Sequence, residues 1–139
     1  MNDISKAAQA AVDAAHRCAQ RLNVGITAAV CDAGGHLVAL CRGSQALLAS
    51  LESAQSKART SVYFGVESRH LPASAPITPA LLAAVPYPLA FLPGGVPLRT
   101  TGGALMGAVG VGGGTPEQDQ TIALEAASAW VQVMAGSAA

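Results

Sequence analysis

The chain has 139 residues, of which 51% are apolar but only 4% aromatic, and its eight Lys plus Arg balance eight Asp plus Glu. That length supports one domain over residues 1–139, with a core built from Ala, Val, Leu and Ile. Zero net charge without a basic stripe excludes the usual electrostatic footprint of a nucleic-acid binder.

Ile4 to Leu22 is predicted as a helix, because Ile4, Ala7, Ala8, Ala11, Val12, Ala15, Ala19 and Leu22 recur at helical spacing. Asn23 and Gly25 supply its stop. Ile26 to Cys31 is apolar or small at every position and reads as a strand covered on both faces. Gly34-Gly35 turns the chain, and His36 to Arg42 returns as a second strand. Leu47 to Phe64 is helical, with Leu47, Leu51, Ala54, Ala58, Ser61 and Val62 as its stripe.

Leu71 to Leu98 carries no charge and holds seven of the eight prolines. Proline removes amide donors and breaks helices, so this stretch reads as an irregular cover and not as a membrane span. Within it, Pro79 to Ala84 is predicted as a short helix and Leu89 to Leu92 as a short strand. Gly94-Gly95 then turns into a strand from Val96 to Thr100, and Gly102-Gly103 turns into a strand of very small residues from Ala104 to Val111. The last helix, Thr115 to Met134, has a marked start: Thr115 at the N-cap, Pro116 at the first position and Gln118 closing a capping box.

The order is helix, two strands, helix, cover, three strands, helix. No Rossmann-type alternation occurs. The expected architecture is α/β in the α+β sense: a five-stranded, mostly antiparallel sheet with helices packed on it. Small side chains bury little area each, so apolar surface shared between subunits, in a homo-oligomer, is also expected. Three cysteines, Cys18, Cys31 and Cys41, form no CxxC pair, and no apolar signal core follows the first residues. A reduced, cytoplasmic protein is the simpler reading.

Asp119 shares a helix face with Ile122, Ala123, Ala126 and Val133, so it is expected to point inward. It is either satisfied by amides of the glycine loop before it and by the helix dipole, or it serves as an acid/base. Gln55 lies on the apolar side of the second helix and either bonds to the sheet or lines a pocket. Lys57 and Arg59 read as solvated charges. Arg42, Ser50 and Lys57 can alternatively gather on an anionic group. The glycine loop lacks both a complete dinucleotide fingerprint and a phosphate-loop lysine. His16 borders the first helix's stripe, His36 follows a turn and His70 opens the cover. No metal-site spacing is present, but a haem iron needs only one axial side chain.

Asp32-Ala-Gly-Gly-His-Leu-Val-Ala39, Arg42, Ser50, Lys57-Ala58 with Thr60, Pro93-Gly-Gly-Val-Pro97, Gly107-Ala-Val-Gly-Val111 and Glu117-Gln-Asp119 stand in the order in which the GlcG/HbpS family has them. The chain resembles that family, which includes the C-terminal domain of PduO-type proteins. The resemblance implies a profilin-like fold with a five-stranded antiparallel sheet and dimers or larger assemblies. It also implies haem or another tetrapyrrole as ligand in some members. A histidine on the first helix occurs in haem-binding relatives, which makes His16 a candidate ligand; His70 is the other. The chain departs from the family at Gly43-Ser-Gln-Ala-Leu-Leu48, where an acidic-glycine segment is usual, and from Ser68 to Leu89.

Three readings follow. The first is a small-ligand or haem-binding protein, with its site between the second helix, the cover and a neighbouring subunit and with Arg42, Ser50, Gln55, Lys57, His16 and His70 as its candidate binding residues. The second is a metal-free enzyme on a small carboxylate or carbonyl compound, with Asp119 or a histidine as acid/base. The third is an oligomeric accessory protein.

Overall fold

The structure, a computed structural model, describes residues 4–70 and 77–138. Its elements are α1 (Ile4–Arg21), β1 (Thr27–Asp32), β2 (Leu37–Arg42), α2 (Ala49–Phe64), α3 (Pro79–Ala84), β3 (Gly95–Arg99), β4 (Leu105–Gly112) and α4 (Pro116–Ala138). All strand pairs are antiparallel, in the order β2-β1-β4-β3. The sheet therefore has four strands among the described residues, where five were expected.

The missing strand is Leu89 to Leu92. Pro88 and Pro93 flank it, and the Ala90 amide donates to Thr60 Oγ1 of α2 at 2.8 Å. Its donor thus goes to a helix side chain instead of a sheet neighbour, and the segment lies over α2 as part of the cover. The Phe64 and Phe91 rings meet there at 5.5 Å, and the Arg59 guanidinium sits 4.3 Å from the centre of the Tyr87 ring. Pro72 and Pro76 of the expected cover lie outside the described residues.

Local chemistry sets the ends of the helices. Asn23 adopts a φ of 56°, its amide bonds the Gln20 carbonyl, and the Val24 amide bonds the Ala19 carbonyl. These two bonds form a Schellman stop with asparagine in the left-handed position. At the start of α4, Thr115 and Gln118 exchange side chain to amide bonds at 3.2 and 2.9 Å, the reciprocal pairing of a capping box.

Alternation along the strands sorts residues into two layers. Ala28, Val30, Val109 and Val111 face α1 and α4, where Trp130 and Ile122 complete the larger core. Cys31 and Ala108 face α2 and pack on Ala58 and Val62. On that second face β4 offers only Ala108, Gly110 and Gly112. Strand and helix backbones therefore approach closely: an added methyl at Gly110 would overlap the Ala54 carbonyl oxygen of α2. Among the described residues, no helix is long and apolar enough to cross a membrane.

Candidate functional site

Two places concentrate polar chemistry: a closed ion pair at one end of the sheet, and an open cleft beside α1. The ion pair joins α2 to α4. Lys57 reaches past the end of β4, and its Nζ donates to the Val111 carbonyl at 3.0 Å and to Asp119 Oδ2 at 2.9 Å. Asp119 Oδ1 accepts the Gly114 amide at 2.9 Å. Lys57 is 4% and Asp119 3% exposed. Asp119 thus points inward as its helical spacing requires, held at the positive end of α4.

The expectation that Lys57 is solvated is corrected. Glycines clear the way for the buried ammonium: an added methyl at Gly94 would meet the Lys57 stem and Asp119 Cβ, each at 3.1 Å. Around the pair, the Gly94 amide donates to Gln120 Oε1 at 3.0 Å, and Gln120 Nε2 donates to Glu67 Oε1 at 3.1 Å. The Ser68 hydroxyl bonds the Leu92 carbonyl and accepts the Gly95 amide at 2.8 Å. Sequence reasoning did not single out Gln120 or Ser68. The partners of both lie far along the chain.

The other sequence candidates scatter. Ser50 is buried, with its hydroxyl 2.8 Å from Thr27 Oγ1 and bonded to the Leu47 carbonyl at 2.6 Å. Arg42 is exposed at the end of β2. With Ser50 and Lys57 committed inside the fold, Arg42 is left as the only one of these three with its polar atoms open to solvent. Gln55 is half-buried and bonds its own helix at the Leu51 carbonyl at 3.0 Å. It lines a narrow crevice with Cys31, Leu37 and Arg59. His70 is exposed, 3.8 Å from Glu67 Oε1, and His36 is exposed beside Asp32 in the hairpin turn.

His16 stands apart from these. Its ring lies between α1 and the end of β2, with Nε2 2.9 Å from the Cys41 carbonyl. A carbonyl only accepts, so that nitrogen carries the proton in the neutral ring. The ring packs on Gly43, where an added methyl would come to 3.5 Å of Cε1. It forms one wall of a cleft of about 370 Å³. Ala19, Val24 and Ile26 give the cleft an apolar side, and Gln20, Asn23, Ser44 and Gln45 a polar rim. Three chain segments build it, so only His16 among its residues was visible as a candidate beforehand. Among the described residues, no group of three or more His, Cys, Asp or Glu converges as a metal ion would need.

The cysteines differ in reactivity for a physical reason. Burial pushes the Cys31 thiol up to about 11, and Cys18 is also raised, by burial and then by the nearby Glu125 carboxylate. Cys41 is exposed. At mildly alkaline pH an alkylating reagent is expected to modify Cys41 in the folded protein and to reach Cys18 and Cys31 only after unfolding, because the thiolate is the nucleophile. Peptide mass mapping reads this directly; native-state labelling of Cys31 ahead of Cys41 would contradict it.

A family model described as haem degrading protein, HbpS-like, matches residues 4–128. No curated protein matches. Among solved structures, a PduOC–haem complex is 30% identical, with 89% of this chain and 91% of that chain covered and a TM-score of 0.79. A structure of HbpS is 31% identical over 89% of this chain and 86% of its own, with a TM-score of 0.78. Klebsiella pneumoniae protein ORFY is 26% identical over 91% of this chain and 88% of its own, with a TM-score of 0.80. The open His16 cleft and closed Lys57–Asp119 pair are therefore features of a chain that belongs to the HbpS-like, haem-degrading protein family.

Proposed function

We propose that this cytoplasmic protein binds haem or another tetrapyrrole in the cleft beside α1, with His16 as the axial ligand. The observation that carries this reading is the position of His16, an ionisable ring on the wall of an open cleft with an apolar side and a polar rim. The relatives that share the fold include one whose structure is a haem complex. The cleft residues fit such a ligand: Ala19, Val24 and Ile26 suit a flat macrocycle, and the amide and hydroxyl side chains suit its carboxylate edge. A tetrapyrrole is larger than this cleft, so part of its rim remains outside it.

Binding draws on a few groups of the chain. The Cys41 carbonyl orients the His16 ring, as partners of ligating histidines do elsewhere. With Nε2 held by that carbonyl, Nδ1 is the ring nitrogen that would ligate, and Gly43 adds no side chain beside it. When bound, haem would supply an iron centre for the imidazole. In this reading Lys57 and Asp119 brace the fold and do not touch the ligand.

Titration with haemin, followed at the Soret band, tests the proposal. The wild-type chain is expected to give a saturable spectrum at one ligand per chain. His16→Ala is expected to weaken binding at least tenfold, while His70→Ala leaves it unchanged, with folding checked by circular dichroism. Absence of any spectral change with haem or its metal-substituted analogues would overturn the proposal, as would His16→Ala behaving as wild type.

A further inference from the structure

Arg59 of α2 departs from the pattern of the other arginines. Arg17, Arg21, Arg42, Arg69 and Arg99 are exposed, while Arg59, expected as a solvated charge, is half-buried. Arg21 pairs with Glu125, Arg69 pairs with Glu67, and Arg99 donates to the Gly65 and Gly103 carbonyls. Among the described residues, Arg59 meets neither a carboxylate nor a carbonyl. Its Nη2 reaches Gln55 Oε1 at 3.5 Å, the long limit of a hydrogen bond, and its guanidinium lies over the Tyr87 ring. Residues 71–76, Leu-Pro-Ala-Ser-Ala-Pro, contain no acid that could pair with it. A cation taken partly out of water without a counter-charge costs free energy. The ring stack occupies the flat face of the guanidinium and leaves its N–H edge for a planar anion.

Arg59 borders a crevice between α2 and the hairpin end of β1 and β2. Ala29, Ala58 and Leu37 give the crevice apolar walls, and Gln55 stands one helical turn from Arg59 at its polar side. Tyr63, one turn beyond Arg59, stands beside Gly35. The space amounts to about 10 Å³, enough for one group the size of a water molecule or a methyl. Burial pushes the Cys31 thiol in its wall up to about 11, so that wall offers Arg59 no negative charge at neutral pH. Cys31 and Ala58 belong to the α2 side of the sheet, whereas the His16 cleft lies beside α1 on the other side. Neither site requires the other.

We propose that this crevice is a second small-molecule site, one that takes a short-chain monocarboxylate. Its carboxylate lies on the Arg59 fork with the Gln55 amide beside it, and its alkyl tail enters between Ala29 and Ala58. An arginine fork matches a planar carboxylate through two parallel hydrogen bonds, which a tetrahedral anion meets less well. One guanidinium balances one negative charge. The Asp32 carboxylate, next along β1 from Cys31, disfavours a second charge on the ligand. The narrow apolar floor admits a tail of one or two carbons and excludes a ring.

Titration of the full chain with sodium propionate, followed by amide and side-chain NMR shifts, tests this. Wild type is expected to show saturable shifts at Gly35, Leu37, Gln55 and the Arg59 guanidinium, with a midpoint in the millimolar range for so small a ligand. Arg59→Lys keeps the charge but loses the fork, and is expected to weaken binding at least about fivefold, while haemin titration stays as in wild type. Gln55→Leu is expected to weaken propionate to a smaller degree. Propionamide, which lacks the charge, benzoate, which is too wide, and inorganic phosphate are each expected to bind more weakly than propionate. Absence of saturable shifts with propionate, shifts centred elsewhere, or an Arg59→Lys variant that binds as wild type would each overturn the proposal. Equal affinity for propionamide, benzoate or phosphate would overturn it as well.

Discussion

Lys57→Met is expected to destabilise the protein by about 3–5 kcal/mol, the cost of leaving one member of a buried ion pair without its partner. Among the described residues the ammonium bonds the Val111 carbonyl and Asp119, and both partners lie within the fold. Methionine fills most of the stem's volume, so lost packing contributes little and the stranded carboxylate dominates. Asp119 keeps the Gly114 amide and the positive end of α4, which offset only part of the loss. Asp119→Asn is expected to cost a comparable amount, because the ammonium then faces an amide that cannot neutralise it. The double variant should cost less than the two single losses added, by about 1–3 kcal/mol, because the residues are in direct contact. Urea unfolding of all four proteins measures the cycle. Strict additivity, or a Lys57→Met loss below about 1 kcal/mol, would show that the pair does not hold α2 to α4.

What the sequence revealed and what it hid divide along chain distance. The start of α4 was readable because Thr115, Pro116 and Gln118 act on each other within one turn. The inward position of Asp119 was readable from its spacing to Ile122, Ala123 and Ala126. Lys57 was misjudged although a local signal existed: it stands at helical spacing between Ala54 and Ser61, both buried. A charge there was read as solvated because its counter-charge lies 62 positions away. Leu89 to Leu92 has strand-like composition, but its amide is claimed by Thr60, a choice made by tertiary packing and invisible in the local pattern. The cleft was harder still. Its walls come from α1, from the turn before β1 and from the loop after β2, and only His16 carries a side chain that stands out by type.

Gly110→Ala is expected to be more damaging than its single methyl suggests, costing at least about 3 kcal/mol, the upper end of overpacking penalties. The added carbon would overlap the Ala54 carbonyl oxygen and come within 2.7 Å of the Ala58 amide nitrogen. Both are backbone atoms of α2, so no rotamer change can relieve the clash. The helix must lift from β4, and lifting it also loosens Ala58 and Val62 from Cys31 and Ala108. Because Lys57 rides on the same helix, the shift draws its ammonium away from Asp119 and couples this substitution to the ion pair. Gly103→Ala provides the contrast. A methyl there meets nothing within 4 Å, and the cost comes only from a φ of 92°, or about 1 kcal/mol. Thermal unfolding should therefore rank Gly110→Ala well below Gly103→Ala, and Gly110→Ala combined with Lys57→Met should lose less than the sum of its parts. Equal losses at the two glycines would mean that α2 does not rest on the β4 backbone, and that the small-residue strand has some other reason for its composition.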